Sequence, residues 1–405
     1  MVPKGWSEHT LDDLALVERG KFSVRPRNDP RYYGGDMPFV QTGDVTSSGT
    51  YLKSFSQTLN ENGIGVSKVF PKNTILITIA ANIGDTAITT FEVACPDSVV
   101  AIQPYKHVAD VYWLKKYLET RKTDLDAQST QNAQKNINLQ VLKPLLILTP
   151  PYAEQKKIAK ILSTWDNAIS VTEKLLANSQ QQKKALMQQL LTGKKRLLDE
   201  NGVRFSGEWQ SLQISDIGTV VTGSTPPKND SDNYGGDISW ATAEDFVGKY
   251  VSNTKIKLSE QGAKKARIVP KGSILVTCIA SIGKNAIADE NMGTNQQINS
   301  VIVRGSNSNE FFYYQIEFNV KTLLTLAGTT AVPIINKSSF EKVSLKFPHF
   351  EEQQKIADVL SAADAEITTL QKKLACLKEE KKALMQQLLT GKRRVKVEAE
   401  EAVSA

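Results

Sequence analysis

The chain has 405 residues, 40% of them hydrophobic, which is enough for two or three separately packed domains. Its aliphatic runs are too short to cross a membrane, and its first residues lack the apolar stretch of a signal peptide, so we expect a cytoplasmic protein. Cys95, Cys278 and Cys376 lie far apart without a neighbouring Cys or His, which excludes a disulfide framework and a zinc site. The net charge of +7 is compatible with a polyanionic partner but does not require one.

Residues 1–150 have the pattern of an α+β domain. Short apolar segments at 39–40, 74–78 and 98–102 are bounded by Gly, Pro and Asn, as strands between turns are. Residues 109–123 (ADVYWLKKYLETRKT) predict a helix, because apolar side chains recur at helical spacing.

Loops of this first domain carry cationic and amide side chains beside aromatic ones. Arginine and lysine suit guanine edges and phosphates, while asparagine and glutamine suit adenine edges. Taken singly, each loop is also compatible with ordinary turn chemistry. The candidate DNA-binding residues here are Arg25, Arg27, Asn28, Arg31, Tyr32, Lys68, Asn82, Gln131, Gln134 and Lys135.

Residues 151–195 predict a long helix. From residue 158 to residue 190 the heptad positions alternate at spacings of four and three, without Pro or Gly, which is typical of a coiled coil. Gly193 stands where a left-handed cap is expected, and Lys183 interrupts the apolar seam, as residues that fix register often do. The predicted helix-pairing residues are Ile158, Leu162, Trp165, Ile169 and Leu176.

The second half of the chain repeats the first at an offset near 198 residues. KKALMQQLLTGKKR at 183–196 returns as KKALMQQLLTGKRR at 381–394, with thirteen of fourteen positions identical. The sequence thus predicts a first globular domain at 1–150, a helical spacer at 151–195, a second globular domain at 196–348, a second spacer at 349–394 and a flexible tail at 395–405. The expected fold is α+β, with two pseudo-symmetric α/β domains and two long helices.

The second repeat has its own candidates, and residues 309–325 predict the counterpart of the first domain's helix. The candidate DNA-binding residues are Thr225, Lys228, Asn229, Lys265, Arg267, Ser281, Lys284, Gln296 and Gln297. The predicted helix-pairing residues are Ile356, Leu360, Ile367, Leu374 and Leu377.

Similarity is uneven along the repeat, because the spacers are nearly identical while the domains share only a framework. This is expected if the spacers fit the same partner and the domains recognise different targets, although duplication with uneven drift would also produce it. The helices could pair antiparallel with each other, with the domains at opposite ends, or each could pair with another chain.

No catalytic signature is complete in this sequence. Thr149-Pro150-Pro151-Tyr152 is similar to a motif of amino-methyltransferases, but its repeat counterpart, residues 347–350, lacks it, so we interpret it as a turn into a helix. There is no GxGxxG after a strand, no GxxxxGK[ST], and no spacing of histidines suited to a metal or a triad. We therefore expect a binding protein with no catalytic or metal-ligating residue and no cofactor of its own.

Taken together, these motifs resemble the specificity subunit of type I restriction–modification systems. The resemblance rests on Glu-Gln-x-Lys-Ile-Ala at 154–159 and 352–357, and on Leu-Met-Gln-Gln-Leu-Leu-Thr-Gly at 186–193 and 384–391. Weaker framework matches are Pro-Lys-x-(Thr/Ser)-Ile-Leu and Ile-Gly in each domain.

The resemblance implies that each domain reads one half of a bipartite site in double-stranded DNA, with the helices as a ruler for the gap. It also implies that two methyltransferase subunits using S-adenosylmethionine dock on the helices, and that restriction subunits using ATP and Mg can join them, in a prokaryotic cytoplasm. Two other interpretations stay open: a coiled-coil scaffold whose globular ends bind protein, and a stand-alone enzyme with duplicated domains.

Overall fold

The computed structural model describes residues 2–129, 136–305, 307–327 and 332–397. The chain forms two compact units, of which unit 1 contains Met1–Val171 and Leu374–Ala405 and unit 2 contains Thr172–Lys373. Each unit therefore combines one globular repeat with part of each long helix. Among the described residues, no helix is long and apolar enough to cross a membrane.

The globular part of unit 1 is built from short strands and helices. The strands are β1 (Ser7–Thr10), β2 (Ala15–Arg19), β3 (Tyr33–Phe39), β4 (Tyr51–Leu52), β5 (Gln57–Leu59), β6 (Val69–Phe70), β7 (Ile75–Thr78), β8 (Thr86–Thr89), β9 (Val93–Ala94), β10 (Val99–Pro104) and β11 (Leu146–Thr149). The helices are α1 (Leu11–Leu14), α2 (Thr42–Ser47), α3 (Glu61–Gly65), α4 (Val111–Thr120), α5 (Lys122–Ser129), α6 (Leu139–Leu142) and the long α7 (Tyr152–Leu190), with a 3-10 turn at Pro30–Tyr32.

Unit 1 contains a central sheet in the order β2-β10-β7-β8-β4, antiparallel except for the β4–β8 pair. A second sheet runs β5-β3-β9-β6, and β1 pairs with β11. The central sheet is buried on both faces, because Ile75 and Ile77 pack in the cluster that contains Trp113 of α4, whereas Leu76 packs with Phe70 of the second sheet.

Unit 2 repeats this topology strand for strand, with sheets in the orders β13-β21-β18-β19-β15, β16-β14-β20-β17 and β12-β22. The strands are β12 (Gln210–Gln213), β13 (Gly218–Thr222), β14 (Tyr234–Ala241), β15 (Tyr250–Val251), β16 (Ile256–Leu258), β17 (Ile268–Val269), β18 (Ile274–Thr277), β19 (Asn285–Ala288), β20 (Met292–Thr294), β21 (Ile298–Val303) and β22 (Ser344–Phe347). The helices are α8 (Ile214–Ile217), α9 (Glu260–Lys265), α10 (Asn309–Phe318), α11 (Val320–Thr325), α12 (Lys337–Glu341) and the long α13 (Phe350–Leu388), with 3-10 turns at Ser231–Asn233 and Ala243–Asp245.

The fold prediction is confirmed in class and repeat, but the helix predicted over 109–123 was wrong in one detail. It is divided into α4 and α5, and its counterpart into α10 and α11. In unit 2 the reason is local, because the Asn319 side-chain amide donates to the Gln315 carbonyl (2.8 Å) and closes the last turn of α10.

The two long helices have 39 residues each, about 58 Å at 1.5 Å per residue. They pair antiparallel within the chain: in unit 1 the start of α7 (Ile158, Leu162) shares a core with the end of α13 (Leu388), and in unit 2 the end of α7 (Leu190) shares one with the start of α13 (Leu360). Pairing of each helix with a separate chain is therefore not needed.

The predicted seam residues occupy two environments. Ile158, Leu162, Ile356 and Leu360 are fully buried in the unit cores. The other predicted seam residues are only partly buried: Trp165, Ile169, Leu176, Ile367, Leu374 and Leu377. Their individual roles in pairing stay predictions.

The Glu of each Glu-Gln-x-Lys-Ile-Ala motif binds an arginine that follows the other helix. In unit 1, Glu154 accepts from Arg394 at 2.8 Å through both oxygens, and its Oε2 also accepts from the Trp6 indole (3.1 Å). In unit 2, Glu352 binds Arg196 at 2.6 Å through both oxygens. The near-identity of the spacers thus has a cause inside the chain, because each spacer supplies the glutamate of one ion pair and the arginine of the other.

The Gln of the same motif joins each helix to its globular domain. Gln155 accepts from the backbone N–H of Asp110 (2.8 Å) and donates to the Pro150 carbonyl (3.0 Å). Gln353 does the same with the Ser308 N–H (2.9 Å) and the Pro348 carbonyl (2.9 Å). Because Asp110 and Ser308 cap α4 and α10, these bonds hold each globular domain to its long helix.

The lysines that interrupt the seam are bound by aspartates of the opposite helix. In unit 1 Lys381 binds Asp166, and in unit 2 Lys183 binds Asp364 at 2.8 Å. Both pairs follow the offset of 198 residues. Tyr314 of α10 also donates to Asp364, at 2.6 Å.

Asp166 is the centre of a partly buried network in unit 1. It accepts from Tyr112 (2.5 Å) and Thr50 (2.7 Å), and it lies 3.0 Å from the Lys116 ammonium. Burial by itself would raise the pKa of Asp166, but the charge of Lys116 and the hydrogen bonds from Lys381, Tyr112 and Thr50 outweigh it and hold that pKa well below its usual range.

We predict that Glu352→Gln lowers the free energy of unfolding of unit 2 by about 3 kcal/mol, because it leaves a partly buried guanidinium without its counter-charge. Glu352 is 1% exposed and Arg196 19% exposed in their side chains. Urea denaturation should show an earlier transition than in the parent chain. Glu351→Gln, at the neighbouring exposed position, is the matched control, and equal effects of the two variants would contradict the prediction.

A second prediction concerns pH. A carboxylate with a lowered folded-state pKa stabilises the fold above its unfolded-state value of about 3.9 and loses that effect as pH falls. The stability difference between the parent chain and Asp166→Asn should therefore be largest near neutral pH and shrink below about pH 4. Thermal unfolding at several pH values measures it, with exposed Asp358→Asn as control. A difference that stays constant down to low pH would count against the network.

Candidate nucleic-acid interface

Three loops of unit 1 meet at one end of the central sheet. They are residues 20–32 after β2, residues 79–85 after β7 and residues 95–98 before β10. Backbone bonds hold them side by side, from the Gly20 N–H to the Val99 carbonyl (2.9 Å) and from the Ile79 N–H to the Ser98 carbonyl (3.0 Å). This recognition end is therefore a set of loops fixed on a rigid sheet, an arrangement suited to binding.

Unit 2 has the same recognition end, formed by residues 223–233, 278–284 and 295–297. The equivalent bonds run from the Gly223 N–H to the Ile298 carbonyl (2.9 Å) and from the Cys278 N–H to the Gln297 carbonyl (2.8 Å). The frame of the two ends is thus the same, while the side chains on the loops differ.

In unit 1 most predicted residues of the first loop are exposed there. Arg27 binds the Asp97 carboxylate (2.6 Å), Arg31 binds Asp29 (2.6 Å), and Arg25 donates to the Val24 carbonyl (2.7 Å). The Arg31 hydrogen bond lowers the pKa of Asp29. These arginines are therefore oriented by neighbours and still reach solvent.

Other predicted residues of unit 1 have different positions. Asn28 and Asn82 are exposed, and Asn82 donates to the Thr46 hydroxyl (3.3 Å). Tyr32 is half-buried against the Phe22 ring, with centroids 6.3 Å apart. Lys68 lies outside the three loops and binds Glu18 of β2 at 2.5 Å. The predicted residues Gln131, Gln134 and Lys135 lie outside the described residues.

In unit 2 the predicted residues also gather around the recognition end. Thr225 donates to Gln296, which joins the first and third loops as Arg27 and Asp97 do in unit 1. Lys284 donates to the Ala243 carbonyl (2.6 Å). Three further predicted residues are exposed on the loops: Lys228, Asn229 and Ser281.

The remaining predicted residues of unit 2 bind groups in or next to the loops of the recognition end. Gln297 donates its backbone N–H to the Asn295 side chain (3.1 Å), and Arg267 donates to the Thr222 carbonyl (2.8 Å). Lys265 binds Asp230 (2.9 Å), whose pKa it lowers. These contacts support the recognition end, and the guanidinium of Arg267 and the ammonium of Lys265 remain at the surface.

Sequence reasoning missed Arg19, Gln41 and Gln57. Arg19 ends β2 and donates to the Asp97 carbonyl, so two arginines meet at this turn. Gln41 donates to Gln57 (2.5 Å) across β3 and β5. A glutamine directly after a strand was a weak signal for Gln41, but only strand register brings Gln57 beside it.

A polar hollow of about 230 Å³ lies between these loops in unit 1. Its floor is formed by Phe22 and Phe39, which are 3% and 2% exposed, and its rim by Arg27, Gln41 and Gln57. The hollow offers hydrogen-bond donors and acceptors over an apolar base, which suits the edge of a planar heterocycle.

The described residues include no group of His, Cys, Asp and Glu side chains that could hold a metal ion. Burial raises the pKa of Cys95 to about 12 and that of Cys278 to about 11, so both thiols stay protonated at neutral pH.

Comparison with known proteins gives one family. The family model for the type I restriction modification DNA specificity domain matches residues 3–178 and again residues 206–379. A putative type I restriction enzyme MjaX specificity subunit of Methanocaldococcus jannaschii is 26% identical, and the alignment covers 98% of this chain and 95% of that protein. The MjaIX specificity subunit of the same organism is 37% identical over 166 residues, which are 39% of this chain and only 38% of the relative.

Solved structures agree in fold. A type I restriction–modification S subunit from M. genitalium superposes with a TM-score of 0.61 at 15% identity, covering 95% of this chain and 96% of that one. The HsdS subunit from Thermoanaerobacter tengcongensis superposes with a TM-score of 0.50 at 17% identity, covering 96% and 98%. With two matched domains that account for most of its length, this chain belongs to the family of type I restriction–modification specificity subunits.

Proposed function

We propose that the chain recognises a bipartite site in double-stranded DNA and that each recognition end reads one half-site. The observation that carries the proposal is the repeat itself, in which two identical frames present different side chains. At equivalent places of the third loop, unit 1 has Asp97, which binds Arg27 of the first loop, and unit 2 has Gln296, which binds Thr225 of the first loop. Arginine, threonine and glutamine are side chains that bind base edges, so the two half-sites differ in sequence.

As a specificity subunit the chain is non-catalytic, and methyl transfer and cleavage belong to other subunits. We propose that the spacers bind two copies of a methyltransferase subunit. Some residues that are identical in the two spacers are also exposed, and internal packing does not explain their identity. They are Lys184, Gln188 and Gln189 of α7 with Lys382, Gln386 and Gln387 of α13.

A groove in unit 1 adjoins this exposed face of α13. It has a volume of about 650 Å³ and lies between Ile161 and Trp165 of α7 and Leu384 of α13, with Lys157 and Arg393 at its edge. A groove that combines these apolar side chains with a charged edge, which also includes Glu380, fits an amphipathic segment of a partner protein. Joining of restriction subunits to such a complex is part of the same proposal.

The first experiment is to produce the chain together with its cognate methyltransferase and map methylated adenines in genomic DNA. We expect one asymmetric motif made of two specified blocks separated by a fixed number of unspecified bases. The alternative, a scaffold that binds protein at both ends, is tested by duplex binding at two salt concentrations. Phosphate contacts would make affinity fall roughly 10³-fold between about 50 and 200 mM salt, whereas a protein scaffold would show no such DNA affinity.

We also propose that the helices set the gap length. The test variant lacks one heptad of each helix, residues 170–176 of α7 and residues 370–376 of α13, which lie opposite each other. It keeps both Asp–Lys pairs and both Glu–Arg pairs. Seven residues at 1.5 Å correspond to about 10 Å, or about 3 base pairs. The mapped motif should keep both half-sites and lose about 3 unspecified bases. Full methylation with an unchanged gap would rule out the ruler.

A further inference from the structure

Two equivalent positions beside the recognition ends carry different chemistry in the two units. In unit 1 Gln57 of β5 lies opposite Phe39 of β3. In unit 2 Ile256 of β16 lies opposite Trp240 of β14. The strand registers therefore place Gln57 and Ile256 at the same point of the frame.

The second position comes just after the central strand of the same sheet. Gln41 precedes α2 and donates its backbone N–H to Asp44 (2.8 Å). Thr242 precedes the 3-10 turn at Ala243–Asp245 and donates its N–H to Asp245 (2.7 Å). The backbone environment is thus conserved between the units, while a pair of amides in unit 1 becomes a hydroxyl and an alkyl group in unit 2.

The amide pair of unit 1 is organised for binding. The Gln41 amino group donates to the Gln57 carbonyl oxygen (2.5 Å), which fixes how the Gln57 amide is turned. Within the described part of the chain, the Gln57 amino group has no acceptor, and a carbonyl oxygen has a second lone pair. Gln57 is exposed on the rim of the hollow, so one donor and one acceptor face solvent side by side.

Adenine presents the matching pattern in the major groove, an N7 acceptor beside an N6 donor, and glutamine binds it through two hydrogen bonds. We propose that Gln57 reads an adenine of the first half-site and that Gln41 is its positioning residue, an inference that rests on the proposed function. Ile256, 40% exposed at the equivalent position, has no hydrogen-bonding group, so unit 2 makes no such reading there.

The test uses the full chain with its methyltransferase, and the readout is the methylated motif. The key variant is Gln57→Ile, which installs the side chain of unit 2 on the same strand position. We expect one A·T position of the first half-site to lose its preference by roughly 5- to 150-fold, while the gap and the second half-site stay unchanged. Gln41→Thr should weaken the preference at the same position and at no other.

The matched control is Gln103→Ala, at the far end of β10, which should leave the motif as it is. Circular dichroism and co-purification with the methyltransferase check that each variant folds. An unchanged motif in Gln57→Ile would overturn the assignment, and so would a uniform loss of methylation at all sites, because the amide would then act in packing or phosphate contact. A parent chain that gives no bipartite motif would instead refute the proposed function.

Discussion

The reciprocal pairing of α7 and α13 is the constraint on which the rest of the structure depends. Each helix begins with a buried glutamate and is followed by an arginine, and each glutamate is bound by the arginine of the other segment. Loss of one partner destabilises such a pair, because an unpaired charge then remains in a partly buried place. The pairing direction is therefore fixed twice, by Glu154 with Arg394 and by Glu352 with Arg196.

This constraint separates the conserved part of each repeat from the variable part. The buried sheet, the glutamines that bind the caps of α4 and α10, and the Asp–Lys pairs are common to both units. The shared sheet holds the recognition loops in the same place. The loops can then change side chains without loss of the frame. Asp97 and Gln296, or Gln57 and Ile256, illustrate how one scaffold carries different side chains at equivalent positions.

Much of the fold follows from the sequence, because periodicity and repetition are local signals. The heptads of α7 and α13, the glycines after them and the duplicated strands are read directly from residue spacing. The division of the helix at 109–123 was missed because a side-chain bond such as that of Asn319 is invisible to periodicity. The gathering of the loop residues at one end of the sheet was not predicted, because it depends on strand pairing between distant segments.

The network around Asp166 and the Gln41–Gln57 pair could not be predicted, since their members come from distant segments. Asp166 draws partners from residues 50, 112, 116 and 381, and no spacing rule connects these. The role proposed for Gln57 follows only from the strand register, which places Gln57 opposite Phe39 and at the position equivalent to Ile256. The residues proposed to read bases are therefore brought together by contacts between distant segments, whereas the order of helices and strands follows from local sequence patterns.

Sharing of both helices between the units has a genetic consequence. Unequal crossing-over within the two near-identical coding segments removes 198 codons and leaves a chain with a single repeat. Such a chain retains Glu154 and one copy of the arginine, but on one straight helix, at its two ends and about 58 Å apart. These two groups cannot meet within one molecule, whereas a second copy supplies the partner of each, so loss of a repeat favours a symmetric dimer with two identical readers.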